Sequence, residues 1–473
     1  MTMNSRASLN KSLLYIALIT FTILANACGD AADSPYLEDD ENSTNLGGDF
    51  QSPGIQNYGD NTPISTGKYS TDDLIEREKA AKAENPDAAT PPASDTPPAS
   101  DPAPSTDTPP ASDPAPADAT PPADDPAPTP PASNSVSSTD FLSKSTTRAM
   151  WVWNENPNAQ QLLENTGGAQ DELFAFLATP HGQANRAINR LFFEARGYSN
   201  ENRFESVRTP TYDPIKTAAD QQNMRSFLAR AHAQGVAVEY LDGQAIWVAS
   251  DANAQAPKDI CRDVIAFNKT TTNVAERFDG IHLDIEPHTV QSGSYAGVWW
   301  ENRLPGGYNA EWTARWKDIL NSCRQQIESY VAETGHRITL SSDLGTDYAH
   351  YNAPILEFLN RSGGPLDYLT IMNYFDNRPN SQGQPSYFHG DNSEGEVVGG
   401  VVQNLAAWSQ LPLLFAMETG PESIASDAQS FYQEGYGALY ATVDTLLANY
   451  ASDRNIGVGF HHYSPQSYRD MKP

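Results

Sequence analysis

The sequence predicts an α/β protein: a (β/α)8 or TIM barrel preceded by a disordered, proline-rich stalk. Three observations predict it. The composition changes sharply near residue 140, from Pro/Ala/Ser/Asp-rich to that of a globular domain. Eight short apolar runs then alternate with helix-like segments, the pattern of a parallel sheet with crossover helices. Each run ends in a polar or ionisable residue, as expected where the carboxyl ends of barrel strands gather on one face.

The strands are expected at Ala149–Trp153, Arg190–Glu194, Val236–Leu241, Gly280–Glu286, Arg337–Asp343, Tyr368–Tyr374, Leu413–Glu418 and Gly457–His462. The helices are expected at Gln170–Leu177, Ala218–Ala233, Ala310–Glu333, Ala353–Asn360, Glu396–Trp408 and Gln429–Ala451. An open doubly wound sheet is the alternative, but no glycine-rich phosphate loop follows the first strand.

The first 139 residues divide into three parts. Residues 1–27 read as a lipoprotein signal peptide: Arg6 and Lys11 precede an apolar run from Ser12 to Leu24, too short to span a membrane comfortably. Ala25-Asn26-Ala27-Cys28 then resembles a lipobox, which implies lipidation of Cys28. Gly29 stands where an inner-membrane retention aspartate would be, so the expected location is the outer membrane or cell surface of an exported bacterial lipoprotein. Residues 28–85 are polar, without apolar periodicity, and are expected to be disordered. Residues 86–139 are a linker in which Thr-Pro-Pro-Ala-Ser-Asp recurs at 90–95, 96–101 and 108–113. Proline density and spaced aspartates favour an extended, semi-rigid stalk.

Net charge is −30, shared equally at −15 by residues 1–139 and 140–473. An acidic head excludes nucleic acid and anionic lipid as electrostatic partners. The expected partners are a carbohydrate and, through the lipid anchor, a membrane. A monomer is expected, with no cofactor and no resident metal. With Cys28 assigned to lipid, Cys261 and Cys323 remain on helical segments flanking the fourth strand, either disulfide-bonded or as free thiols.

The chemistry concentrates in Asp279-Gly280-Ile281-His282-Leu283-Asp284-Ile285-Glu286. On a strand, Ile281, Leu283 and Ile285 face one way and His282, Asp284 and Glu286 the other. Burying three ionisable groups in a row is costly, and such ladders occur where acid–base chemistry uses them. Carboxylates with aromatic platforms suit carbohydrate. Glu286, crowded by Asp284, is the expected general acid. Trp153, Glu194, Asp242, His282, Asp343, Asn373 and His462 are candidate substrate contacts. Trp299 and Trp300 could form a subsite wall or pack in the core.

The fourth strand resembles that of glycoside hydrolase family 18, the chitinase-like barrels, whose pattern is Asp-Gly-x-Asp-x-Asp-x-Glu. His282 replaces the middle aspartate. Met372-Asn373-Tyr374 is similar to that family's Met-x-Tyr. The resemblance implies Glu286 as acid/base, Asp284 and Tyr374 holding a substrate acetamido group, and that group acting as nucleophile. The second strand lacks the family's Ser-x-Gly-Gly. His461-His462-Tyr463 stands where a tryptophan is usual. Glu286-Pro287 and Met417-Glu418-Thr419-Gly420 are also similar to the retaining (β/α)8 glycosidases, which implies Glu418 as nucleophile. Two other readings stay open: a metal-dependent hydrolase or deacetylase using His282, Asp284, Glu286, His288 and His462, and a non-catalytic carbohydrate-binding barrel.

Overall fold

The structure, a computed structural model, describes residues 147–155, 157–198, 204–290, 293–300, 309–390, 399–451 and 455–473. The signal peptide, Cys28, the polar segment and the stalk lie outside the described residues.

Eight parallel strands close into a barrel: β1 (Arg148–Val152), β2 (Arg190–Phe193), β3 (Ala237–Asp242), β4 (Gly280–Leu283), β5 (Thr339–Gly345), β6 (Tyr368–Met372), β7 (Leu413–Glu418) and β8 (Ile456–His461). Each pairs with its neighbours in sequence, and β8 returns to pair with β1. All eight expected strands are present, and β7 has the expected limits. Crossover helices follow the first seven: α1 (Ala169–Ala178), α2 (Ala218–Ala233), α3 (Asp251–Lys269), α4 (Ala310–Thr334), α5 (Ala353–Asn360), α6 (Gly400–Ala407) and α7 (Gly435–Tyr450). The helical segment expected around Cys261 is α3, which carries Pro257 inside it. Its start is fixed by Ser250, whose side chain accepts from the Asn253 amide. An antiparallel ribbon of Gly197–Tyr198 and Pro210–Tyr212 follows β2.

Strand alternation builds two cores. Ile281, Leu283, Leu369, Ile371, Val458 and Phe460 point outward into the layer shared with the helices. Ala149, Trp151, Trp153, Phe192, Leu241, Tyr368, Leu414 and Ala416 fill the barrel interior, with Tyr374 packed on them. Two glycines make room for that filling. A Cβ at Gly459 would come within 2.5 Å of the Trp151 ring, and one at Gly280 within 2.1 Å of Thr339 Oγ1 and 2.8 Å of the Glu239 carboxyl carbon. Large inward groups on one strand therefore require glycine on the next.

Cys261 of α3 and Cys323 of α4 form a disulfide, closing the expected alternative. It bridges the helices on either side of β4 and encloses a loop of 62 residues. A loop of that length restricts the unfolded chain. Cys261→Ser with Cys323→Ser is expected to lower stability by about 2–4 kcal/mol, read as a shift in urea midpoint. An unchanged midpoint would mean that helix packing alone fixes β4.

Candidate active site

Beyond β4 the chain runs for three residues, Asp284 to Glu286, before the next turn. Asp284 N–H still donates to Asp242 O at 3.0 Å. Glu286 then opens a single turn, Pro287–Thr289, and its carbonyl accepts from Thr289 Oγ1 at 2.8 Å. This brings Asp284 and Glu286, 8% and 7% exposed, to the barrel mouth. His288 lies behind Glu286. Its Nε2 is 3.6 Å from Glu286 Oε1 and its Nδ1 is 3.3 Å from the Tyr348 hydroxyl. Burial pushes the His288 imidazole down to about 4, so it is neutral at pH 7.

Tyr374, just past β6, is the meeting point of the site. Burial and then the neighbouring Glu418, Asp343, Glu286 and Asp284 carboxyl groups push its phenol well above the ordinary tyrosine range. The hydroxyl therefore stays protonated, a neutral donor among four carboxyl groups. Burial, and next to it Asp343, also raises the Asp284 carboxyl.

Glu418 is sealed. Its Oε1 accepts from the Thr419 and Gly420 amides at 2.8 and 2.6 Å, and its Oε2 is 2.9 Å from His461 Nδ1. Trp153 Nε1–H can only donate, and it donates to His461 Nε2 at 2.9 Å. The proton of His461 therefore sits on Nδ1 and points at Glu418. With both oxygens occupied and no exposure, Glu418 is held as an acceptor, which argues against its expected role as nucleophile.

A second cluster flanks the mouth on β2 and β3. Asp242 accepts from the Tyr198 hydroxyl at 2.5 Å and from the Gly243 amide at 2.9 Å. Glu194 accepts from the Asn154 amide at 3.0 Å. Arg208 lies across them, 3.6 Å from Glu194 Oε1, donating to Gly243 O at 3.0 Å, and stacked 4.2 Å over the Tyr198 ring. Burial raises Glu194 to about 7 despite Arg208. A buried acid raised in this way favours the folded state most below about pH 4.5, its unfolded value, and loses that contribution as pH rises through about 7. Glu194→Gln is accordingly expected to shrink the fall in stability between pH 4.5 and pH 8 by about 3 kcal/mol. Chemical denaturation of both proteins at the two pH values checks this, and equal falls would refute it.

The structure sorts the other expected substrate contacts. Trp153, 4% exposed, ends the inward row of β1 at the mouth. Asp343 lies inside the barrel below Asp284, 1% exposed. His282, Asn373 and His462 are fully buried and engaged by protein groups. His282 stacks on Phe192 at 3.8 Å and bonds to Ser341 and Asp343. Asn373 donates to Tyr387 O at 2.9 Å, tying β6 to the loop after it. His462 Nε2 is 3.1 Å from Glu155 Oε2. The metal ladder does not converge, because both ring nitrogens of His282 are taken by protein groups. Among the described residues no three His, Cys, Asp or Glu side chains cluster as ligands. Trp299 packs in the core against Tyr348 and Trp312 and forms no subsite wall. The side chain of Trp300 lies outside the described residues. Arg208 and the orienting role of His461 were not anticipated. Arg208 reaches the site by a loop path with no local signature. His461 was visible as an inward residue ending β8.

Fold and site define a (β/α)8 barrel whose carboxyl-end face carries an acid pair, a neutral tyrosine and a sealed carboxylate. No family model and no curated protein matches the chain. Among solved structures the barrel is similar to those of glycoside hydrolase family 18. The N-acetylglucosaminidase from Paenibacillus barengoltzii is 13% identical, covering 67% of this chain and 95% of its own, with a TM-score of 0.36. The catalytic domain of chitinase B from Arthrobacter TAD20 is 13% identical over 71% and 94%, with a TM-score of 0.41. The chitinase from Ipomoea carnea is 13% identical over 68% and 96%, with a TM-score of 0.33. Likeness at this level is one of fold and assigns a role to no single residue.

Proposed function

We propose that the protein is a glycoside hydrolase that cleaves an N-acetylhexosamine-containing polysaccharide, held at the outer membrane or cell surface through lipidated Cys28 and the stalk, and acting as a monomer. Glu286 protonates the leaving oxygen. Asp284 and the Tyr374 hydroxyl hold the acetamido group of the sugar on the other side of the scissile bond. Its carbonyl oxygen attacks the anomeric carbon, and water activated by Glu286 opens the resulting ring. A glycosidase otherwise needs a second free carboxylate for that attack.

The observation that carries this reading is the fate of Glu418. Two amides on one oxygen and His461 on the other engage Glu418 as an acceptor, and the neutral Tyr374 phenol, which feels the Asp284 and Glu286 carboxyl groups, supports a role as donor to an acetamido carbonyl. Turnover on β-linked N-acetylhexosamine oligomers and on plain hexose polymers tests it. Cleavage of the acetamido sugars alone is expected. Cleavage of plain hexosides would return the nucleophile to Glu418, and binding without turnover would make the barrel a lectin.

A further inference from the structure

The interior of the barrel below the site holds a column of polar side chains whose hydrogens can be assigned one by one. At its base Glu239 of β3 accepts from Arg190, from Thr339 Oγ1 at 2.9 Å and from the Tyr368 hydroxyl at 2.7 Å. It is thus an acceptor-only carboxylate paired with a guanidinium. Ser341 Oγ lies 2.9 Å from Glu239 Oε2 and also bonds the Tyr368 hydroxyl, which itself donates to Glu239, so the Ser341 hydrogen is assigned to this group of acceptors at the base. His282 Nδ1 lies 2.7 Å from the same Ser341 Oγ, whose only hydrogen is already engaged, so Nδ1 carries a proton and donates. His282 Nε2 lies 2.8 Å from Asp343 Oδ2, and a contact of that length between a ring nitrogen and a carboxyl oxygen requires one further proton between them.

We propose that this proton resides on Asp343, and that Asp343, locked as a neutral acid by the Ser341–His282 relay, is a positioning residue that lets Asp284 above it ionise. Only its catalytic consequence rests on the proposed hydrolase reading; the proton assignment stands without it. His282 is wholly buried and lies flat against Phe192, an environment that disfavours an imidazolium. Burial pushes the imidazole down to about 4 and the Asp343 carboxyl well up, in the same sense. The charged and titratable groups facing the pair are Arg190 from β2, Glu239 from β3, Asp284 beyond β4, Tyr374 beyond β6 and His461 from β8. Two of these, Glu239 and Asp284, are carboxyl groups. A second ionised carboxylate at Asp343 would add to them and hold Asp284 protonated. The neutral form removes the charge that adds to burial in raising Asp284, whose buried Oδ1 has no protein hydrogen-bond partner and can accept from a donor that enters the site.

The relay predicts that Ser341 controls Asp284 at a distance. In Ser341→Ala the Nδ1 acceptor is gone, the imidazole can take its proton on Nε2, and Asp343 can give its own to solvent. Asp284 then titrates against a new charge, and its pKa, followed by carbon-13 labelling of aspartate, is expected to rise by about one unit or more. The acidic limb of kcat/KM should move with it. Adding Asp343→Asn to Ser341→Ala removes any charge at that position, and the limb and the Asp284 titration are expected to return toward wild type. Nitrogen-15 spectra of histidine-labelled wild type at pH 7 should show His282 neutral with Nδ1 protonated. An Nε2-protonated ring or an imidazolium there overturns the proposal, as does a Ser341→Ala protein that loses stability with Asp284 titrating unchanged. Absence of turnover on every sugar leaves the spectroscopic tests intact and counts against the hydrolase reading alone.

Discussion

Glu286→Gln is expected to lower kcat by roughly 10³-fold while leaving oligosaccharide affinity within a few-fold of wild type. Glutamine has the same shape and can hydrogen-bond the glycosidic oxygen, but it has no proton to give. The backbone that presents the residue does not depend on its charge: Pro287 follows directly, and Thr289 Oγ1 closes the turn on the Glu286 carbonyl. Nor does the change strip a partner of its counter-charge, because His288 beside it is neutral. Asp284 and Tyr374 remain to hold the sugar, so binding and chemistry separate in this one variant. Turnover and calorimetric binding on the same oligomer read the two. A variant within about tenfold of wild-type kcat would remove Glu286 from the acid's role.

Much of this site was legible before the fold. Period-two alternation put Ile281 and Leu283 on the helix side and His282, Asp284 and Glu286 on the other, and both faces lie as the pattern requires. The ends of the strands were also legible, because a barrel strand is apolar until it reaches the mouth. What alternation cannot give is depth. Inward residues of one strand descend from the mouth to the floor, and the pattern does not mark where substrate stops and packing starts. His282 and Asp284 are two residues apart, yet one is enclosed under Phe192 and the other reaches the mouth. Nor does alternation show occupancy: Glu418 sits where an attacking carboxylate was expected, and only the fold reveals Thr419, Gly420 and His461 already on its oxygens. Arg208 was beyond reach for a third reason, since a loop residue far from the strand ends is placed by the path of the β2–α2 connection alone. A proline obscured the limits of α3. Pro257 lies within that helix, and there the disulfide and the packing against α4 outweigh local propensity.

Glu239→Gln is expected to cost about 3–5 kcal/mol, although the residue lies on the floor of the barrel, away from the mouth. The substitution keeps the shape and removes the carboxylate paired with Arg190, whose side chain is 2% exposed. A guanidinium stranded in that interior cannot be rehydrated, because Trp151, Phe192 and Tyr368 fill the barrel around it. The amide oxygen stays with Arg190, Thr339 and Tyr368, which all donate to one carboxylate oxygen, and the amide nitrogen turns a donor toward Ser341, which already donates to the other. Adding Arg190→Met removes the stranded charge, and the pair of changes is expected to recover at least half of the loss, since a buried ion pair adds little beyond what apolar packing supplies. Urea denaturation of the three proteins decides it, and a Glu239→Gln protein within about 1 kcal/mol of wild type would show that the interior carries the charge without Glu239. The same variant reaches the site by another route. Ser341 loses the carboxylate that takes its hydrogen, and can turn that hydrogen to His282 Nδ1. The imidazole tautomer then reverses and Asp343 gains a charge. A stability change on the barrel floor and a titration change at Asp284 should therefore arrive together in Glu239→Gln, whereas Ser341→Ala should give mainly the second.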